Sequence, residues 1–168
     1  GFGGAEEGYF GQYGKDQALG TNINFPVPFQ ANDSLLRMFC DYVEKFIKKF
    51  RPKLLVLPIG FDGHWLDPLG NLHFTIKGFG EFAQWVKKLG KDLNAKIAFN
   101  LEGGYNFLAI AKALEAIVCT FTGQTPPRQS QFEEFVSDMY HFKDITKTCH
   151  PLFGLELKSA KHDLTKIW

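Results

Sequence analysis

The sequence is short of one-sided charge, of long apolar runs and of cysteine, and each shortage excludes something. Its 19 Lys and Arg stand against 18 Asp and Glu, a net charge of +1. That balance gives no long-range field to gather nucleic acid. The most basic stretch, EKFIKKFRPK, closes an amphipathic segment, where cations answer the dipole of a helix C-terminus. No apolar run approaches the ~20 residues of a membrane span. The opening GFGGAEEGYF is polar and glycine-rich, unlike a secretory signal. Cys40, Cys119 and Cys149 are odd in number and far apart. They exclude a disulfide frame or a zinc knuckle and fit buried thiols in a reducing, cytoplasmic setting. Neither GxxxxGK[ST] nor GxGxxG occurs, so the nucleotide-binding loops are missing. No two of His64, His73, His141, His150 and His162 are adjacent.

What is present describes a soluble α/β chain. At 168 residues and 45% hydrophobic content it is long enough for one domain with a real core. Asp33 is a candidate cap for a helix whose apolar positions are Leu35, Leu36, Phe39, Val43, Phe46, Ile47 and Phe50, ended by Pro52. KLLVLPIG is apolar on both faces, as a buried parallel strand is, with Pro58 expected at its end or at a bulge. Thr75 caps a second helix with Phe79, Phe82, Val86, Leu89 and Leu93 inward. KIAFNL is a second strand, and a third helix turns Phe107, Ala111, Leu114, Val118 and Phe121 inward until Gly123. This alternation is the pattern of a parallel sheet. QFEEFVSDMYHF fits one more amphipathic helix before an irregular tail.

Two chemically loaded loops follow the two strands, and in an open parallel sheet ligands sit beyond the carboxyl ends of strands. In GFDGHWLDPLG, Asp62 either turns its carboxylate into the crevice toward a cation or satisfies turn amides. Asp62 and His64, two apart in extended chain, share one face and have the look of a ligand pair. Asp67-Pro68 reads as turn initiation, and Trp65 as partly buried. In LEGGYN, Gly103 and Gly104 let backbone approach a ligand closely. Tyr105 is either an oxyanion donor or a rim tyrosine. Glu102 is either a base or a helix-start charge.

In order and spacing, NINFPVP, RPKLLVLPIGFDGHWLDPLGNLHFT and LEGGYN resemble the C-terminal half of a histone-deacetylase-like protein. The branch is that of the acetoin-utilisation and acetylpolyamine amidohydrolase relatives. The resemblance runs from about Tyr9 to Gly123. It implies a three-layer αβα architecture with a parallel sheet, as in the C-terminal half of the arginase/deacetylase fold. It also implies Zn2+ as cofactor, Asp62 as one of three protein ligands, and Tyr105 as the group that polarises the acetyl carbonyl. His64 is not a ligand in that pattern. Phe10 falls near a family aromatic of the substrate channel, and Gly103 and Gly104 lie along the same channel. Family members usually carry a small residue or serine where Pro58 stands.

The family's His-His pair and the Asp-x-His that supplies its other two ligands have no counterpart here. Residues 1–123 are therefore expected to form part of a deacetylase domain, with 124–168 a helix and tail packed on it. The expected partners are the missing N-terminal half, in the same or a separate chain, and an acetylated amine, acetyl-lysine or a smaller one. A homo-oligomer is compatible with this; direct nucleic-acid or membrane contact is not expected. The alternative is a catalytically incomplete remnant that acts as a binding module.

Overall fold

A computed structural model describes residues 16–125. They fall into two units. The first contributes residues 16–28, a 3-10 turn at Asp16–Ala18 followed by irregular chain. The second carries all the regular elements that follow. Phe10, Cys149 and the segment QFEEFVSDMYHF, expected as a helix, lie outside the described residues.

Helix α1 spans Asp33–Phe50, strand β1 Leu54–Ile59, helix α2 Ile76–Leu93, strand β2 Lys96–Leu101 and helix α3 Phe107–Thr122. Each helix starts at a polar cap. Asn32 accepts from the Ser34 amide, Thr75 from that of Gly78 and Asn106 from that of Ala109. Arg51, Asn94 and Gly123 end them in left-handed conformation. Asp33 is thus not the cap of α1. Its carboxylate reaches α2 instead, accepting from the Thr75 amide at 2.9 Å and the Thr75 hydroxyl at 2.6 Å. Burial pushes its pKa up, against the pull of those two bonds.

The strands pair in parallel, from Leu54 opposite Lys96 to Ile59 opposite Leu101, with no bulge at Pro58. Lys53 and Ile59 accept ladder bonds from Lys96 and Glu102. Alternation then turns the Pro58 nitrogen to the side away from β2, where no strand of the described residues pairs. Leu55, Leu57, Ile97 and Phe99 are half-buried on one face, which α2 and α3 cover. The core there comprises Ile59, Phe61, Ile76, Phe79, Ala83, Ala113, Ala116 and Ile117. On the opposite face Leu54 and Val56 are 53% and 60% exposed.

The inward face expected for α2 is largely observed: Phe79, Val86 and Leu89 are buried. That of α3 is not. Phe107 is 87% exposed and Val118 is exposed, while Ala109, Ala113, Ala116, Ile117 and Thr120 are buried. The helix is apolar nearly all round, so periodicity does not select a face. Close approach to α2 does, because a Cβ on Gly80 would lie 3.9 Å from the Ala116 methyl.

Candidate active site

Because β1 and β2 are parallel, their carboxyl ends open the same way, and the loops 60–75 and 102–106 leave side by side. Their pairing runs on beyond the strands: Glu102 donates to Ile59 at 3.0 Å and Phe61 to Gly103 at 2.7 Å. Phe61 is fully buried against Phe79, its ring edge-on at 5.1 Å. Anchoring Phe61 inward turns the next residue out, so Asp62 is exposed at the rim.

The carboxylate of Asp62 lies against bare backbone. A Cβ on Gly60 would stand 2.8 Å from Asp62 Oδ1, and one on Gly103 3.0 Å from Oδ2. Gly70 packs on the same residue from another side, where a Cβ would fall 1.5 Å from the Asp62 carbonyl oxygen. Three glycines, one from the second loop, thus make room for one aspartate. Gly104, with φ at +133°, turns inward, where a Cβ would meet Ile110 and Phe61.

His64 does not share a face with Asp62. Its ring is 1% exposed, beside Trp65, and Nδ1 accepts from the Leu66 amide at 3.2 Å. The turn breaks the extended geometry on which a ligand pair at that spacing depends. Trp65 is half-buried, as expected. Glu102 is exposed, and its carboxylate accepts from Asn100 at 3.4 Å.

The turn amides belong to Asp67. Its Oδ1 accepts from Leu69 at 2.9 Å and Gly70 at 3.0 Å. Its Oδ2 crosses to the other loop and accepts from the Tyr105 amide at 2.7 Å. Burial alone would push its pKa up, but the amides of Tyr105, Leu69, Gly70 and Asn106 outweigh it and hold the carboxyl below its ordinary value. Asn106 adds a second tie, donating to the Leu66 carbonyl at 3.0 Å. Sequence reasoning saw in Asp67 only a turn former; the one available signal was its place before Pro68. Tyr105, whose amide these contacts fix, is 53% exposed.

The two loops are therefore stitched into one rim carrying an exposed carboxylate and an exposed phenol. Chemically Asp62 offers an oxygen ligand for a cation and Tyr105 a hydrogen-bond donor. Among the described residues no three His, Cys, Asp or Glu side chains come together as a metal site. None of the described helices is long and apolar enough to cross a membrane.

The profile of the histone deacetylase domain matches residues 5–121. Histone deacetylase 14, chloroplastic, of Arabidopsis thaliana is 32% identical over 109 residues, 64% of this chain and 26% of that protein. The acetoin utilization protein AcuC of Staphylococcus xylosus is 27% identical over 142 residues, covering 83% of this chain and 37% of its own length. Among solved structures, the acetylpolyamine aminohydrolase of Burkholderia pseudomallei superposes with a TM-score of 0.62 at 26% identity, over 70% of this chain and 33% of that one. The chain thus spans well under half the length of these relatives.

Proposed function

The chain belongs to the histone deacetylase family, an α/β family of the arginase/deacetylase fold, and on that premise we propose that Asp62 and Tyr105 are its share of a zinc-dependent amide-hydrolase site. The reaction is removal of the acetyl group from acetyl-lysine or a smaller acetylated amine. What carries this reading is the division of labour between two aspartates. Asp67 takes the turn amides, whereas Asp62, exposed against bare backbone at Gly60 and Gly103, takes none of them.

A catalytic zinc site has three protein ligands and an open position. The carboxylate of Asp62 fits one of the three, and one cannot hold the ion. The other two ligands and the proton-transferring histidines are assigned to the rest of the family domain, in the same or a separate chain. When bound, the metal supplies Lewis acidity. Asp62 orients its negative oxygen toward that ion. The phenol of Tyr105 donates a hydrogen bond to the acyl oxygen, which gains charge as its carbon becomes tetrahedral. Glycine at 103 and 104 keeps bulk away from the approach.

The test is Tyr105→Phe in the protein with all ligands supplied. Loss of one oxyanion donor costs on the order of 10²–10³ in rate. Because the bond strengthens in the transition state, kcat should fall with little change in KM. Unchanged kinetics would return Tyr105 to the scaffold. A second reading, an interaction module without turnover, draws on the open sheet face at Leu54 and Val56. It requires a partner that covers this face and restores no activity.

A further inference from the structure

We propose that Asp67 is a positioning residue for Tyr105: its carboxylate, bonded to amides of both loops, sets where the phenol stands over the Asp62 rim. The inference rests on the catalytic reading of Tyr105 given above. Its physical content is geometric. Oδ1 is committed to Leu69 and Gly70, inside its own loop. Oδ2 is left for the Tyr105 amide, 38 residues away in sequence. One rigid planar group therefore locks the loop that returns on Asp62, through Gly70, to the loop that carries the hydroxyl.

Few other contacts could do this. Tyr105 itself is half exposed, so packing does not hold its ring. Gly103 and Gly104 precede it and impose no side-chain restraint on the backbone. Asn106 fixes the next residue through Leu66, but its side chain is also the cap of α3 and accepts from Ala109 at 3.0 Å. Without Asp67, the amide of Tyr105 loses its partner, and the flanking ties at Gly103 and Asn106 leave the peptide between them without a bond of its own. A displacement of about 1 Å at a catalytic group lowers rate by roughly 10²-fold.

Two measurements test it. In the 168-residue chain, amide hydrogen exchange is compared between wild type and Asp67→Asn, which keeps the shape and removes the charge. Exchange at Tyr105 and Asn106 should quicken at least tenfold together with Leu69 and Gly70, while the amides of β1 and β2 keep their rates. Unchanged exchange at Tyr105 overturns the proposal. So does quickening spread evenly over the strands, because Asp67 would then serve the whole fold. In the catalytically complete protein, Asp67→Asn should lower kcat with KM little changed, and Asp67→Glu should recover part of the loss. Added to Tyr105→Phe, it should cost nothing more, since both remove the same hydroxyl contact. Additive losses overturn the coupling. If Tyr105→Phe alone is fully active, the catalytic reading of Tyr105 fails, and the exchange data still report whether Asp67 holds the loop.

Discussion

Gly103→Ala is the sharpest available probe of what Asp62 is for. The three atoms nearest the added methyl would all belong to the Asp62 carboxylate: Oδ2 at 3.0 Å, Cγ at 3.2 Å and Oδ1 at 3.5 Å. Gly103 has no left-handed φ, so alanine brings no backbone strain there. Ordinary contact begins at 3.4 Å, and the carboxylate must retreat by about 0.4 Å. Metal–ligand distances tolerate only about ±0.2 Å. The retreat therefore exceeds what a bound ion accepts, although it is small for an exposed side chain.

The consequence separates function from fold. Changes in the surroundings of a ligand typically cost about 10–100-fold in metal affinity, and Gly103→Ala should fall in that range. Stability should move by no more than about 0.5 kcal/mol, as for a surface substitution. The assay is competition with a chelator for zinc in the catalytically complete protein, alongside thermal melting. Gly70→Ala is the control, since its Cβ would meet the Asp62 carbonyl oxygen at 1.5 Å and must disturb the loop itself. Unchanged zinc affinity in Gly103→Ala would refute the assignment of Asp62 as a ligand held in this cradle.

The purified 168-residue chain should show no zinc-dependent turnover of acetyl-lysine peptides, because among the described residues no three side chains come together to hold the ion; chelator-sensitive activity would contradict this. Asp62→Asn should weaken zinc binding sharply in the complete protein, whereas His64→Ala, which removes a buried ring, should lower the melting temperature more than it weakens metal binding. Gly78→Ala should destabilise by about 1–3 kcal/mol through overpacking, although alanine is the better helix former, because its Cβ would stand 2.1 Å from Asp33 Oδ1; a rise in melting temperature would show that Asp33 is not held there. Asp67 and Asp33 should give opposite pH slopes in denaturant titrations against their Asn variants. The depressed pKa of Asp67 means stability present above its unfolded pKa of ~3.9 and lost as pH falls through the folded value. The raised pKa of Asp33 means stability gained as pH falls through the folded value toward the unfolded one. Slopes of the same sign would refute this pairing.

The fold was legible where local chemistry and tertiary packing agree. Thr75 reads as a cap and is one, and α2 has a clear polar side, so its buried face could be named. At the start of α1, Asn32 and Asp33 are both good capping residues, and local preference does not choose between them. The choice comes from Thr75, 42 residues away, which takes the Asp33 carboxylate and leaves the cap to Asn32. In α3 the stripe of large residues misled at Phe107 and Val118, though not at Leu114 and Phe121, for a related reason. Contact with Gly80 demands small side chains, so alanines face inward and Phe107 is left outside.

The site repeats this lesson with more at stake. Asp62-Gly63 and Asp67-Pro68 are both turn-forming pairs, and nothing within ten residues says which carboxylate is spent on the turn. The answer lies in the parallel pairing of β1 with β2, which brings the Tyr105 amide within 2.7 Å of Asp67. Once Asp67 is committed to amides of both loops, the other carboxylate is the one left at the rim. Resemblance to the deacetylase pattern had singled out Asp62 by position, without a physical reason why its neighbour could not serve. The reason is charge accounting over one small volume. A carboxylate that already accepts from Leu69, Gly70 and Tyr105, with both oxygens engaged, has its orientation fixed. To bind an ion it would have to surrender those bonds and release the tyrosine loop. Asp62 has no such obligation, and this availability, more than its spacing from His64, is what supports the proposal that it serves as the ligand.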